Sequence, residues 1–167
     1  MMTQRRAVTP NAVHKFNQLN MTLTGTYTVN APAQTVWNML MDPDTLARVT
    51  PGITSLEKID ADNFKAVAEV KVGPVGGAFT GNLKISDRKE PENFTLEIQQ
   101  NSKIGNANAV VHLHLNAVSS TQTEVSFTGE VKLSGMLATM GGRVVTPVAN
   151  MLSKQFFEGL EKEIAVA

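Results

Sequence analysis

The sequence predicts an α+β domain in which a strongly curved antiparallel sheet wraps around one long C-terminal helix. Three observations carry this. From Phe64 to Leu133 apolar and polar residues alternate through five successive runs, the period of strands with one buried and one wet face. After Ser134-Gly135 the period becomes helical, with Leu137, Met140, Val144, Val148, Met151, Leu152, Phe156 and Leu160 on one stripe. Ahead of both, one strand pattern is followed by two short helix signals.

Element by element, Leu23, Gly25, Tyr27 and Val29 alternate with threonines and predict the first strand. Pro32 opens a helix carrying Val36, Trp37, Leu40 and Met41. Asp42 can cap a second helix with Pro43 at its first position, running to about Arg48. Pro51-Gly52 marks a turn. Strands then centre on Phe64–Val72, Phe79–Ile85, Phe94–Ile98, Ala107–Ala117 and Val125–Leu133. The connections are hairpin-length, so the sheet is expected to be a meander. In the final helix Gly141-Gly142 and Pro147 predict a bend near residues 143–147, with the end near Ile164.

The chain has 167 residues, which favours one domain, and equal numbers of acidic and basic residues. The first 20 residues hold Arg5, Arg6 and Lys15 but no acid, and no apolar run follows the arginine pair. They are expected to be a disordered leader, with residues 21–167 forming the domain. Aromatic residues are only 5% of the chain, so both the charge and the stacking surfaces of a nucleic-acid binder are lacking. The absence of cysteine excludes disulfides and thiol catalysis. No nucleophile elbow, H-E-x-x-H or phosphate-cradling loop is present.

The inward side of the predicted sheet carries Ala66, Ala68, Gly81, Ala107, Ala109 and Gly129. Such small residues either leave room for a ligand behind the helix or serve strand curvature, with phenylalanines filling the space. On the cavity reading the lining from the first helix and the early strands is Trp37, Phe64, Ala68, Val70, Phe79 and Leu83. The later strands add Leu96, Ala109, Val111, Leu113, Phe127 and Val131, and the final helix adds Met140, Arg143, Val144, Val148 and Met151. Trp37 is either a core anchor or a cavity wall. Arg143 is either a side chain with its head in water or a donor to a polar ligand group at the cavity mouth. His112 and His114 share a strand face with Asn108 and Asn116 and read as surface residues rather than metal ligands. No His, Asp or Glu falls at an inward position, which argues against acid–base catalysis.

Particular residues add a resemblance. The run Met21-Thr-Leu-Thr-Gly25-Thr-Tyr27, with Ala31-Pro32, Val36-Trp37, Leu40, Asp42-Pro43, Leu46-Ala47 and Pro51-Gly52, resembles the opening of the carbon monoxide dehydrogenase G-subunit family. Lys71-Val-Gly-Pro74-Val-Gly-Gly-Ala-Phe79-Thr-Gly81 is similar to its central hairpin, and Gly141-Gly142-Arg143, Pro147 and Lys154-Gln155-Phe156-Phe157 to its last helix. The resemblance spans about residues 21–164. It implies a helix-grip, START-like fold and a non-catalytic accessory protein that binds a quinone or lipid, with no other cofactor and no metal. It also implies service to a membrane-associated molybdenum hydroxylase, either as ligand carrier or as assembly factor, in the cytoplasm or at the inner face of the membrane. A START-like cyclase or lyase is the remaining alternative. Two departures stand out. Val49-Thr50 replaces the Cys-Ile that the family often places before Pro-Gly, and the chain stops at Ala167. Members with a membrane-anchoring role carry an extended tail, so the resemblance here implies a transient membrane contact.

Overall fold

A computed structural model describes residues 18–166. Most of the predicted leader therefore lies outside the described residues, but Gln18, Leu19 and Asn20 already belong to β1 (Gln18–Val29). They pair with Ser134, Leu133 and Lys132, so the domain takes in three residues assigned to the leader.

Two short helices follow. In α1 (Ala33–Leu40) the residues spaced three and four apart, Val36, Trp37 and Leu40, are buried together. In α2 (Pro43–Val49) Asp42 is the N-cap, with Pro43 at the first position. Its carboxylate accepts from the Thr45 hydroxyl at 2.7 Å and from the Asp44 amide at 3.3 Å. Chiefly the Thr45 hydroxyl, aided by the Asp44 and Thr45 amides and the Arg48 charge, holds the Asp42 pKa below its ordinary value, against partial desolvation. A carboxyl depressed on folding stabilises above its unfolded pKa, and that contribution disappears as pH falls through the folded value. Asp42→Asn keeps a capping oxygen but cannot titrate. The stability gap between the native chain and this variant is therefore expected to narrow between neutral pH and about pH 3. Urea midpoints across that range check this, and a gap independent of pH refutes it.

The strands are β2 (Ile53–Lys58), β3 (Asn63–Val72), β4 (Val75–Lys89), β5 (Asn93–Ser102), β6 (Gly105–Ser119) and β7 (Gln122–Ser134). They form one seven-stranded antiparallel sheet in the order β1-β7-β6-β5-β4-β3-β2. The expected meander is present, and β1 closes onto β7. The sequence reading omits β2, whose pairing with β3 slips between Ile53 and Ser55 and breaks the alternation. β4 is likewise irregular between Ser86 and Lys89, where Asp87 has φ 52.

The C-terminal helix is in two pieces, α3 (Gly135–Met140) and α4 (Gly142–Val166). The break falls at Gly141, earlier than the predicted bend. Gly141 has φ 78, a left-handed conformation that ends α3 at little steric cost, and its carbonyl starts α4 by accepting from Val144 and Val145. Pro147 is accommodated inside α4. Two predicted stripe residues also shift. Met151 is 47% exposed, because the inward row steps by four from Val148 to Leu152. Phe157 is buried at 6% exposure, while Phe156 packs edge-on against it at 5.1 Å.

α4 leans to one side of the sheet. It packs on α2 and β1. Gly159 permits the α2 contact, since a Cβ there would stand 3.2 Å from Val49. Arg48 reaches Glu163 at 2.8 Å across the same seam, and the Asn30 amide donates to Glu161 at 2.7 Å.

Candidate binding cleft

Strand register determines what faces the helix. Successive inward rows are Leu83, Ile98, Ala109, Val131 and Met21, then Ile85, Leu96, Val111, Gly129 and Leu23, then Phe94, Leu113, Phe127 and Gly25. The predicted alternation is therefore in register. No His, Asp or Glu occupies an inward strand position among the described residues.

Burial along these rows is uneven. One buried cluster gathers Val36, Trp37, Leu40, Phe64, Ile85, Phe94, Leu113, Val125, Phe157 and Leu160 at the end capped by α1 and α2. A second gathers Val75, Phe79, Leu133, Leu137, Ala138 and Val148 around α3. Between them Leu23, Ala68, Leu83, Leu96, Ile98, Ala109, Val111 and Val131 are only partly buried, although they point inward. Of these, Leu83, Leu96 and Val111 pack against the first cluster and Val131 against the second, yet water still reaches each of them. The middle of the sheet is thus a half-buried apolar floor, less covered than either end.

The small residues divide by role. A Cβ on Gly81 would stand 1.8 Å from the Gln99 carbonyl oxygen, so this glycine serves the close approach of β5. A Cβ on Gly25 would stand 2.6 Å from the Phe127 ring. Ala68 and Ala109, by contrast, are small and only partly buried.

The expected lining residues fall into three groups. Trp37, Phe64, Phe79, Leu113 and Val148 are buried end walls, with Trp37 edge-on to Phe94 at 5.5 Å. Ala68, Val70, Leu83, Leu96, Ala109, Val111, Phe127, Val131, Met140 and Val144 are half-buried. Arg143 and Met151 are exposed instead. Arg143 heads into solvent at the α3–α4 break, as a side chain with an apolar stem and a charged tip does.

Sequence reasoning missed an aromatic wall. Tyr27 stacks on Phe157 at 4.4 Å, and Phe127 lies 6.4 Å from each. The alternation of β1 already placed Tyr27 inward; the choice of Phe157 over Phe156 needed the helix rotation. Also missed was an open hollow of about 560 Å³ at the β2–β3 edge, lined by Pro51–Thr54, Glu69–Val72, Leu152 and Gln155.

On the outer face His112 and His114 are exposed, as expected. His112 Nδ1 lies 3.0 Å from the Thr95 hydroxyl, and both histidines border a shallow concavity of about 350 Å³ with Asp87, Asn93 and Ser126. Among the described residues no group of three potential ligands is placed to hold a metal.

An antiparallel sheet gripping a terminal helix, with two short helices after the first strand, is the START-like, helix-grip architecture. Solved structures agree. A START superfamily protein from Mycobacterium smegmatis matches with TM-score 0.68 and 15% identity, over 86% of this chain and 97% of that one. An aromatase/cyclase from a Streptomyces species matches with TM-score 0.66 and 15% identity, over 87% and 93%. A conserved protein from Geobacillus kaustophilus reaches TM-score 0.83 and 29% identity, over 88% and 95%. The chain belongs to the carbon monoxide dehydrogenase G-subunit (CoxG) family, whose sequence profile matches residues 25–165. Comparison with curated proteins gives no significant match.

Proposed function

We propose that the protein is a non-catalytic carrier of an apolar ligand, a quinone or lipid, serving a molybdenum hydroxylase related to carbon monoxide dehydrogenase. The observation that supports this is the half-buried apolar floor between two buried clusters, since ligand sites favour incompletely covered apolar surface between elements. Membership of a family named for part of a dehydrogenase supports the accessory role. The lack of an inward His, Asp or Glu among the described residues favours carriage over cyclase or lyase chemistry, which needs a positioned acid or base. Likeness to an aromatase/cyclase at 15% identity bears on fold alone. Among the described residues no helix is long and apolar enough to cross a membrane. Work in the cytoplasm with transient contact at the inner membrane face is part of the same proposal.

Native mass spectrometry of the purified protein, followed by solvent extraction, is expected to show a retained apolar molecule. It is also expected to show rebinding of an added decyl-substituted benzoquinone. A protein that neither retains nor rebinds such a molecule is not a carrier. Family membership also favours a second reading, assembly of the hydroxylase itself. It predicts that the enzyme still co-purifies with a variant whose cleft is filled.

A further inference from the structure

Resting on the carrier reading, we infer that the ligand loads sideways between α4 and the β2–β3 edge, apolar end first. Its uncharged polar end stays at that rim beside Gln155. The asymmetry of the helix is the starting point. On one flank α4 is closed down on β1 and α2, with Phe157 stacked on Tyr27 at 4.4 Å and Gly159 pressed to Val49. On the other flank lies the hollow of about 560 Å³.

The hollow is apolar on its inner side, where Val70, Val72 and Leu152 stand. Val70 follows Ala68 by two residues, so both face inward, and the hollow adjoins the strand that brings Ala68 to the half-buried floor. Its outer side is polar, with Thr54, Glu69, Lys71 and Gln155. The edge is firmly held. The Glu69 amide donates to Gly52 at 2.8 Å, and Gly52 has φ 80, with the Glu69 carbonyl oxygen 2.4 Å from where a Cβ would stand.

Rim chemistry selects the polar end. Lys71 is paired with Glu69 at 3.2 Å, so the two charges offset each other. The Thr54 hydroxyl donates to the Val67 carbonyl at 3.1 Å. Gln155 is exposed at the hollow and brings an amide that both donates and accepts. A rim without net charge fits a carbonyl or hydroxyl better than a carboxylate or phosphate. The class of ligand is therefore a single-ended amphiphile with a neutral head. Arg143 does not line this rim.

The cysteine-free chain with a single tryptophan makes the test direct. Gln155→Cys at the rim and Asn82→Cys on the outer face are each labelled with a bulky maleimide. Loading of a decyl-substituted benzoquinone is followed by quenching of Trp37 in stopped flow. The label at position 155 is expected to slow loading about tenfold or more relative to the label at position 82. Equal rates overturn sideways loading and leave the carrier reading standing. No quenching in the unlabelled native protein overturns both. Separately, Gln155→Ala is expected to speed release about five- to tenfold, the loss of one hydrogen bond. An unchanged release rate overturns the placement of the polar end.

Discussion

Ala109→Phe is expected to weaken binding of a decyl-substituted benzoquinone about tenfold or more, while the thermal midpoint moves by no more than about 2–4 °C. Ala109 sits at the centre of the floor, between Ile98 on β5 and Val131 on β7, and all three are half-buried. On the proposed carrier reading, a phenyl ring there enters the space above the half-buried floor. It is then expected to displace ligand rather than neighbouring protein atoms. Had the sheet and helix met in a tightly packed core, the same substitution would force neighbours off their rotamers at a cost of about 1–3 kcal/mol. Titration by Trp37 quenching and thermal denaturation of the same sample separate the outcomes. A destabilised variant that binds normally sinks the idea of an open floor.

Leu160→Ala is the substitution expected to cost most stability, about 2–5 kcal/mol. Leu160 is fully buried, one residue after the glycine that lets α4 meet Val49, and it shares a cluster with Trp37, Leu40, Phe94 and Phe157. Truncation opens a void where the helix is already fixed by Val49 and by the Arg48–Glu163 pair, so collapse around it is limited. At about 2–4 °C per kcal/mol, a loss of this size is plain in a thermal scan. A loss below about 1 kcal/mol would mean that α4 is not anchored at this point. The Arg48–Glu163 pair contributes little alone, since Arg48 is 55% exposed.

Much of this fold was legible because a sheet with one wet face writes its register into the sequence. Five strands of the meander and the inward set from Phe64 to Leu133 follow from period two. Asp42 and Pro43 announce α2 by capping chemistry alone. What failed has local causes. β2 lies at the sheet edge, where a bulge breaks its alternation. The glycine pair announced a break in the last helix, but only the backbone angle of Gly141 places it before Arg143.

The site was partly legible for a different reason. Composition marks a face as apolar, but packing decides which part of it is covered. Trp37 and Ala109 both read as lining; one is buried in the core cluster and the other is only half-buried. Leu152 was already on the predicted stripe, but Gln155 borders the hollow at the β2–β3 edge through the placement of α4, a tertiary fact with no signature in the helix sequence. Arg143 drew attention as the lone charge in an apolar stretch, and it is exposed at the α3–α4 break.

The closing pair of strands also bears on biosynthesis. Gln18 pairs with Ser134, so among the described residues the first strand made is completed by the last one. During translation β1 therefore waits roughly ten seconds without its partner. Those twelve residues contain no charge and are rich in threonine. Charged side chains are a usual means of keeping an unpaired strand from pairing with another chain. The hazard of misassembly is therefore greatest on the ribosome and falls once β7 emerges. Expression temperature and translation speed should govern the yield of this protein more than the stability of its finished form.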